Sequence, residues 1–392
     1  MGWWLRIVVA VVVVVAAVEK PGWQPRFLGQ TALKHAAFTE AYISEDETLD
    51  YLDRWTIYIS TFDPFGGVDN VYRMRSPGRY LDDVASWQVE VMDNSAFWPN
   101  NPDYLPSSIG GAEGVIWSSG FLVPGKTEGQ LQMYNTTKDP VLGPYNIASK
   151  DTLAWSYHRV VWKDMDVDGS TKHDLLWFEN TGAGFSEGWP AHVVSSGGPD
   201  VHFALVTLSA GGRDYHCIVV GEFFNEKVSI YWTESETNDW TDLDLVKSRV
   251  INEKAGQVFD VLVDDFNRDG VLEFCATEFR TDLGVGQVTV YFFPDDFRTD
   301  EFPHLKIADG FRPNQVFGSP TMSPGTPKVY YPSKAYADDV AEDGLPHKPF
   351  LLVSGDDDGR KMTHGDFNGD GYEEVVVAGY TIGQLYVYTY AP

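Results

Sequence analysis

An acidic turn that recurs at a fixed interval constrains this chain more than any other feature. Asp265-Phe-Asn267-Arg-Asp269-Gly270-Val-Leu-Glu273 and Asp366-Phe-Asn368-Gly-Asp370-Gly371-Tyr-Glu-Glu374 match position for position as D-x-N-x-D-G-x-x-E. A third version, Asp164-Met-Asp166-Val-Asp168-Gly169, reaches its closing carboxylate, Asp174, two residues later. The turns begin at 164, 265 and 366, a constant interval of 101 residues. One such turn would be noise, whereas three in register are a repeat.

Oxygens at positions 1, 3 and 5 point inward when the backbone curls around an ion, and the glycine at position 6 permits the sharp reversal. The all-oxygen donor set suits calcium, with a backbone carbonyl and waters completing its shell. Zinc is disfavoured because no Cys or paired His lies in the turns. An EF-hand needs a Glu at position 12 and flanking helices. Here position 12 is Leu175, Ala276 or Val377, and Glu374 runs straight into Val375-Val376-Val377-Ala378. Short β-branched runs of that kind are strands, so the turns join strands. An Asx-rich hairpin turn without metal is the competing reading.

On these residues the chain resembles the FG-GAP or VCBS repeat family, whose calcium turn D-x-[DN]-x-D-G-x-x-D lies between propeller strands. Glu replaces the final Asp in two turns, and the first turn carries the insertion. The resemblance implies an all-β fold, a single β-propeller. It also implies calcium at Asp164, Asp166, Asp168 and Asp174, at Asp265, Asn267, Asp269 and Glu273, and at Asp366, Asn368, Asp370 and Glu374.

A propeller blade takes about 40–50 residues, so an interval of 101 hides a further blade between turns. Ser209-Ala-Gly-Gly-Arg213-Asp-Tyr-His-Cys217 fills that place before Ile218-Val-Val-Gly-Glu-Phe223. Ser209, Gly211, Arg213 and Cys217 cannot hold calcium, so hydrogen bonds should close this turn. Trp55–Phe62 and Gly114–Val123 read as inner strands of two further blades. Another blade ends near Phe350–Val353. Blade starts near 56, 114, 164, 209, 265, 310 and 366 predict seven four-stranded blades. The stretch Phe311 to Pro349 reads as a long surface excursion. Ring closure should pair Gln384–Tyr390 with the region Gln24 to Ile43, which buries edges that would otherwise invite aggregation.

The N-terminal residues 1–18 read as a secretory signal peptide: Arg6 precedes an unbroken apolar run from Ile7 to Val18, too short to span a bilayer. An uncleaved signal anchor is the alternative. Residues 19–392 are then the propeller, soluble and secreted. Asn135-Thr136-Thr137 is an N-glycosylation sequon. Cys217 and Cys275 form either one bridge or two buried thiols. The formal net charge of −28 repels nucleic acid and anionic lipid and attracts cations.

The sequence shows no G-x-S-x-G, H-E-x-x-H, Walker or G-x-G-x-x-G motif. His158, His173, His216 and His364 fall near the repeat turns and read as structural, although His158 and His364 could face the channel. Trp162 and Trp177 read as packing between blades. Trp98, Trp189 and Trp240 stand in loop-like contexts, where exposed rings could stack on sugar faces. The expected function is therefore a calcium-binding recognition module for an extracellular glycan or protein. The alternatives are a carbohydrate lyase or dehydratase at the channel mouth, and an acidic matrix or filament subunit.

Overall fold

The protein is described by a computed structural model. It covers residues 24–392 apart from 62, 64–68, 97, 121–128, 149–156, 158, 161–174, 180–187, 196–200, 312–323, 342–343, 354–358 and 381. Strands dominate, as the short β-branched runs and frequent turns require. Strand β1 (Arg26–Ala32) joins the last sheet. The next sheet is β2 (Ala36–Ile43), β3 (Trp55–Thr61), β4 (Asn70–Arg75) and β5 (Glu90–Asp93). It is followed by β6 (Pro99–Leu105), β7 (Gly114–Ser119), β8 (Leu131–Asn135) and β9 (Leu142–Asn146). Strands β10 (Leu175–Phe178) and β11 (Ala191–Ser195) form a two-stranded sheet.

Next come β12 (His202–Ala210), β13 (Arg213–Glu222), β14 (Lys227–Thr233) and β15 (Val246–Asn252) in one sheet. A further sheet holds β16 (Gln257–Asp264), β17 (Glu273–Arg280), β18 (Val285–Phe292) and β19 (His304–Phe311). Strands β20 (Pro327–Tyr330) and β21 (Phe350–Val353) pair as two. The last sheet holds β22 (Gly359–Gly365), β23 (Glu374–Gly379) and β24 (Gln384–Thr389), and β1 completes it. All pairings are antiparallel, and all but that of β1 with β24 join chain neighbours.

First strands pack on one another around a common axis: β22 on β2, β2 on β6, β12 on β16, β16 on β20, and β20 on β22. The fold is a β-propeller closed by its N-terminal strand, with Arg26 opposite Thr389 and Ala32 opposite Gln384. Five blades are complete, not the expected seven, and the other two sheets have two strands each among the described residues. Trp55–Thr61 and Gly114–Ser119 are second strands, not innermost ones; β2 and β6 precede them on the axis. The excursion after Phe311 contains β20, whose short run Pro327–Tyr330 is too brief to announce itself by periodicity.

The core lies between faces of adjacent blades. Val219, Ile230 and Trp232 of one blade meet Val258, Phe274 and Tyr291 of the next. Across the closure, Ile57, Ile59 and Met74 meet Val376, Leu385 and Val387. Val375–Ala378 is buried at every position because both faces of β23 are covered. Each such side chain contributes on the order of 1.5–3 kcal/mol on burial. Cys217 and Cys275 are both buried and unbridged, the second of the two thiol readings. Among the described residues no helix is long and apolar enough to cross a membrane. Residues 1–18 lie outside the described residues, as do Asp164, Asp166, Asp168, Asp174, His158, His173 and Trp162.

Candidate functional site

The turn between β16 and β17 occupies residues 265–272, with Asp264 paired to Glu273 at its neck. Its side chains fold back onto its own backbone. Asp265 accepts from the N–H groups of Asp269 at 3.1 Å and Gly270 at 3.0 Å. Asn267 Oδ1 accepts from Asp269 N at 2.8 Å, and Asp269 Oδ1 from Val271 N at 2.8 Å. Gly270 takes φ +90°, which a side chain would strain.

Oxygens of Asp265, Asp269 and Glu273 lie within 4.8 Å of one another. That spacing fits three ligands around one calcium, whose oxygen bonds run at roughly 2.3–2.6 Å. Asn267 shares the turn, its Oδ1 accepting from Asp269 N and its Nδ2 donating to Glu273 Oε1 at 2.7 Å. Burial raises the Glu273 pKa, and the charges of Asp269 and Asp265 add to it. A bound cation would relieve that repulsion, the chemistry such an ion supplies here.

The turn between β22 and β23 repeats this pattern over 366–373, with Gly365 opposite Glu374. Asp366 accepts from Gly369 N at 2.7 Å and Gly371 N at 3.0 Å, and Asn368 Oδ1 accepts from Asp370 N at 3.0 Å. Glu374 is pushed up to about 8, chiefly by burial, with Asp370 and Asp366 adding repulsion.

Both closing glutamates have a second role that the motif did not disclose. Glu273 Oε2 accepts from Phe266 N, and Glu374 Oε2 from Phe367 N, each at 3.0 Å. The phenylalanine at position 2 is thereby held inward. Phe367 is fully buried and meets Trp55 edge-on at 5.3 Å. The recurring D-F-N was the available signal: an apolar residue does not otherwise belong in an acidic turn.

The turn at Ser209 lacks this apparatus. Ala210 pairs directly with Arg213 across Gly211 and Gly212, at φ +61° and +79°. Strand pairing places Tyr215, rather than Cys217, opposite Leu208 at the position Glu273 holds opposite Asp264. Cys217 instead matches Cys275: they lie opposite Val206 and Leu262. Hydrogen bonds close this corner. Ser209 Oγ donates to Asp214 Oδ1 at 2.5 Å, and Arg213 donates to the carbonyls of Glu234 and Ser235.

The aromatic expectation is corrected. Trp98, Trp189 and Trp240 are all buried, and Trp240 is only 1% exposed. Each packs within or between blades and offers no ring to a sugar. Asn135 ends β8, and its Oδ1 accepts from Thr137 N at 3.1 Å and Thr137 Oγ1 at 2.7 Å. His364 pairs with Glu373 at 2.6 Å.

A second constellation lies at the axis, built from residues far apart in sequence. Glu40 on β2 receives Lys328 from β20, whose Nζ sits 2.8 and 2.9 Å from its two oxygens. Tyr42 on β2 reaches β6, its OH donating to the Pro102 carbonyl at 3.1 Å, with Asp103 Oδ1 at 3.5 Å. His202 on β12 places Nδ1 2.6 Å from Asp260 Oδ1 on β16, where Asp260 is buried.

Arg159 joins these groups. Burial lowers its pKa, but Asp103, Asp260 and Glu40 outweigh that and raise it. One guanidinium thus answers carboxylates from three blades. The segment before it is tied to the β6–β9 blade, with Tyr157 N donating to Ser119 O and Asn100 Nδ2 to Tyr157 O. Arg159 Nε is buried without a hydrogen-bond partner. The Tyr42 phenol is raised well above its ordinary value, first by burial and then by Asp103 and Glu40, so it remains a neutral donor.

No family model matches the chain, and no curated protein does. Among solved structures it is similar to an α-L-arabinofuranosidase from Fusarium graminearum at 11% identity and TM-score 0.35, over 91% of this chain and 93% of that one. A Coprinopsis cinerea α-L-arabinofuranosidase catalytic domain gives 9% and 0.33, over 94% and 98%. An endo-arabinase from Bacteroides thetaiotaomicron gives 10% and 0.30, over 83% and 97%. Scores this low assign neither an activity nor a residue role here.

Proposed function

We propose that this chain is an exported, carbohydrate-active β-propeller, with its ligand site at the axis and its acidic turns as calcium-held braces. The observation that carries the reading is the convergence of Glu40, Asp103, Arg159, His202, Asp260 and Lys328 on the axis. Carboxylates offer acceptors, and Arg159 and Lys328 offer donors. A ligand of many hydroxyl groups satisfies both kinds at once. A polyanion would meet three carboxylates and a net charge of −28, and a polycation would meet Arg159 and Lys328. The burial of the three tryptophans removes the stacking surface that favoured recognition by face loops.

Calcium belongs to this proposal as a stabiliser. The turns at 265 and 366 fit it by donor type, and the first fits by spacing as well. The resemblance to FG-GAP or VCBS repeats points the same way. Within the carbohydrate-active class, elimination or isomerisation suits the axis better than glycoside hydrolysis. Hydrolysis by a carboxyl pair needs one member kept protonated as general acid. Here Glu40 is clasped by Lys328, His202 stands beside Asp260, and Arg159 interacts with Asp103, so no carboxyl pair stands apart from a basic group.

The test is a panel of neutral mono- and oligosaccharides, followed by calorimetry and ligand-observed NMR with the calcium-loaded protein. Binding that falls at least tenfold in Asp103→Asn, with an unchanged circular dichroism spectrum, supports the axial site. Binding that survives in that variant places the ligand elsewhere.

A further inference from the structure

We infer that Asn368-Gly369, in the turn between β22 and β23, is a site of spontaneous covalent modification. It converts through a cyclic imide to aspartate and isoaspartate, and the isoaspartate form no longer seats against the first blade. This is the one Asn-Gly pair in the sequence. An asparagine side-chain amide is open to attack by the backbone nitrogen of the next residue. Glycine in that place hinders the approach least, since it has no Cβ and the widest choice of backbone angles. The matching turn offers the contrast. There Asn267 is followed by Arg268, which sits at φ +65° and is tied by Nη1 to Tyr331 OH at 2.7 Å.

The seated turn holds both reacting groups in hydrogen bonds. Gly369 N donates to Asp366 Oδ1 at 2.7 Å. Asn368 Oδ1 accepts from Asp370 N, and its Nδ2 donates to Asp370 Oδ2, each at 3.0 Å. Gly369 and Asp370 are exposed, so these bonds open by local fluctuation while the flanking strands stay paired. Once released, Gly369 N forms a bond to Cγ of Asn368. The bond from Cγ to Nδ2 breaks, and ammonia leaves carrying the Gly369 amide proton. Water then opens the ring at one of its two carbonyls. Opening at Cγ gives aspartate at position 368. Opening at the main-chain carbonyl leaves the chain running through Cγ, which is isoaspartate, one backbone atom longer. Water in and ammonia out account for every atom, and no oxidant or reductant enters.

The two products differ in fit. Aspartate keeps the chain length, and the third turn carries Asp166 at this place. Isoaspartate meets a filled seat. A Cβ added at Gly369 would already stand 3.1 Å from the ring of Tyr51, in the connection between β2 and β3. A Cβ at Gly78, between β4 and β5, would overlap the Phe367 carbonyl oxygen. Tyr51 OH also donates to the Asp366 carbonyl at 2.8 Å. An extra backbone atom within this seat pushes the turn off the first blade, so the junction that closes the ring acquires a finite lifetime.

The experiment is peptide mass mapping of the full chain during incubation in mildly alkaline buffer with chelator, which keeps the outcome independent of calcium and of the axial site. The signal is the amide-to-acid mass change at 368, which isomerisation of the neighbouring Asp370-Gly371 does not produce. Conversion at Asn368 is expected to run about tenfold or more faster than at Asn267, because only the former precedes glycine. The aspartate and isoaspartate products are then separated by chromatography and melted. The isoaspartate product should melt below the aspartate product, which bears the same charge, and should lose hydrogen-exchange protection in the peptide containing Tyr51. An Asn368 that stays unconverted, or converts no faster than Asn267, overturns the site. Two products with equal Tm and equal protection at Tyr51 overturn the unseating. Every arm uses the wild-type chain, so no variant has to fold.

Discussion

The acidic turns and the axial cluster use the same residue types in opposite ways. In each turn the oxygens come from nine consecutive residues, and their partners are backbone N–H groups of the same loop. At the axis the groups come from strands β2, β6, β12, β16 and β20 and from the segment at Arg159, and their partners are side chains of other blades. A turn of that kind is complete before the ring closes. The axial cluster exists only when the ring is closed and every strand is in register. The difference teaches where to look for function: the local device suits stability, and the convergent one suits ligand chemistry.

The largest effect separating the two is expected from Arg159→Met. Removing this cation leaves Asp103, Asp260 and Glu40 without the charge they share. Breaking a buried ion pair by deleting one partner costs about 3–5 kcal/mol. Arg159 is only half-buried, so about 2–3 kcal/mol is expected, read by urea unfolding at pH 7. A loss no larger than that of an exposed surface arginine would mean the axial charges are independent of one another.

Next in size is the calcium response. Free calcium at one hundred times its Kd should raise stability by about 2.7 kcal/mol per site, so chelation should lower the Tm. Glu273→Ala removes a proposed calcium ligand and also leaves the Phe266 N–H without its acceptor, costing about 1–3 kcal/mol even in chelator. Ser209→Ala, in the blade whose corner is a glycine pair, should leave the calcium response intact. A Tm indifferent to thorough chelation would remove calcium from the account.

These expectations also show what the sequence could disclose. The turns were legible because ligand, glycine and strand signals sit within one short window, and the 101-residue interval placed them on equivalent corners. The all-β propeller class and the closing role of the last strand followed from that. Register did not. Counting from Ser209 put Cys217 at the place of Glu273, because the glycine corner is shorter than the acidic one. The tryptophans misled for a related reason: Trp98, Trp189 and Trp240 have loop-like neighbours in sequence but apolar ones in space. Of the axial residues none was singled out, since Glu40, Asp103, His202, Asp260 and Lys328 are ordinary single residues until six elements meet.

A smaller effect concerns Glu278, a buried carboxyl in neither region. It accepts from Gln287 Nε2 and Thr289 Oγ1 at 2.7 Å and Tyr291 OH at 2.5 Å. The equivalent residue of the preceding blade is Val220, opposite Ser229. Burial raises the Glu278 pKa despite these donors. The folded state therefore holds this proton more tightly than the unfolded chain. Its contribution to stability is full below the ordinary glutamate range and is lost as pH rises through the raised value. Stability measured from pH 4.5 upward should fall less steeply in Glu278→Gln than in wild type. Identical slopes would show that Glu278 is ionised alike in both states.

The division of labour between turn and axis is tested most directly by a paired measurement on Asp265→Ala and Asp103→Asn. Each is assayed for the calcium-dependent rise in Tm and for affinity toward a sugar that binds wild type. Opposite losses are expected: Asp265→Ala loses part of the calcium response and keeps the affinity, while Asp103→Asn keeps the calcium response and loses at least tenfold in affinity. Loss of sugar affinity in Asp265→Ala at full folding, with Asp103→Asn binding as wild type does, would contradict it.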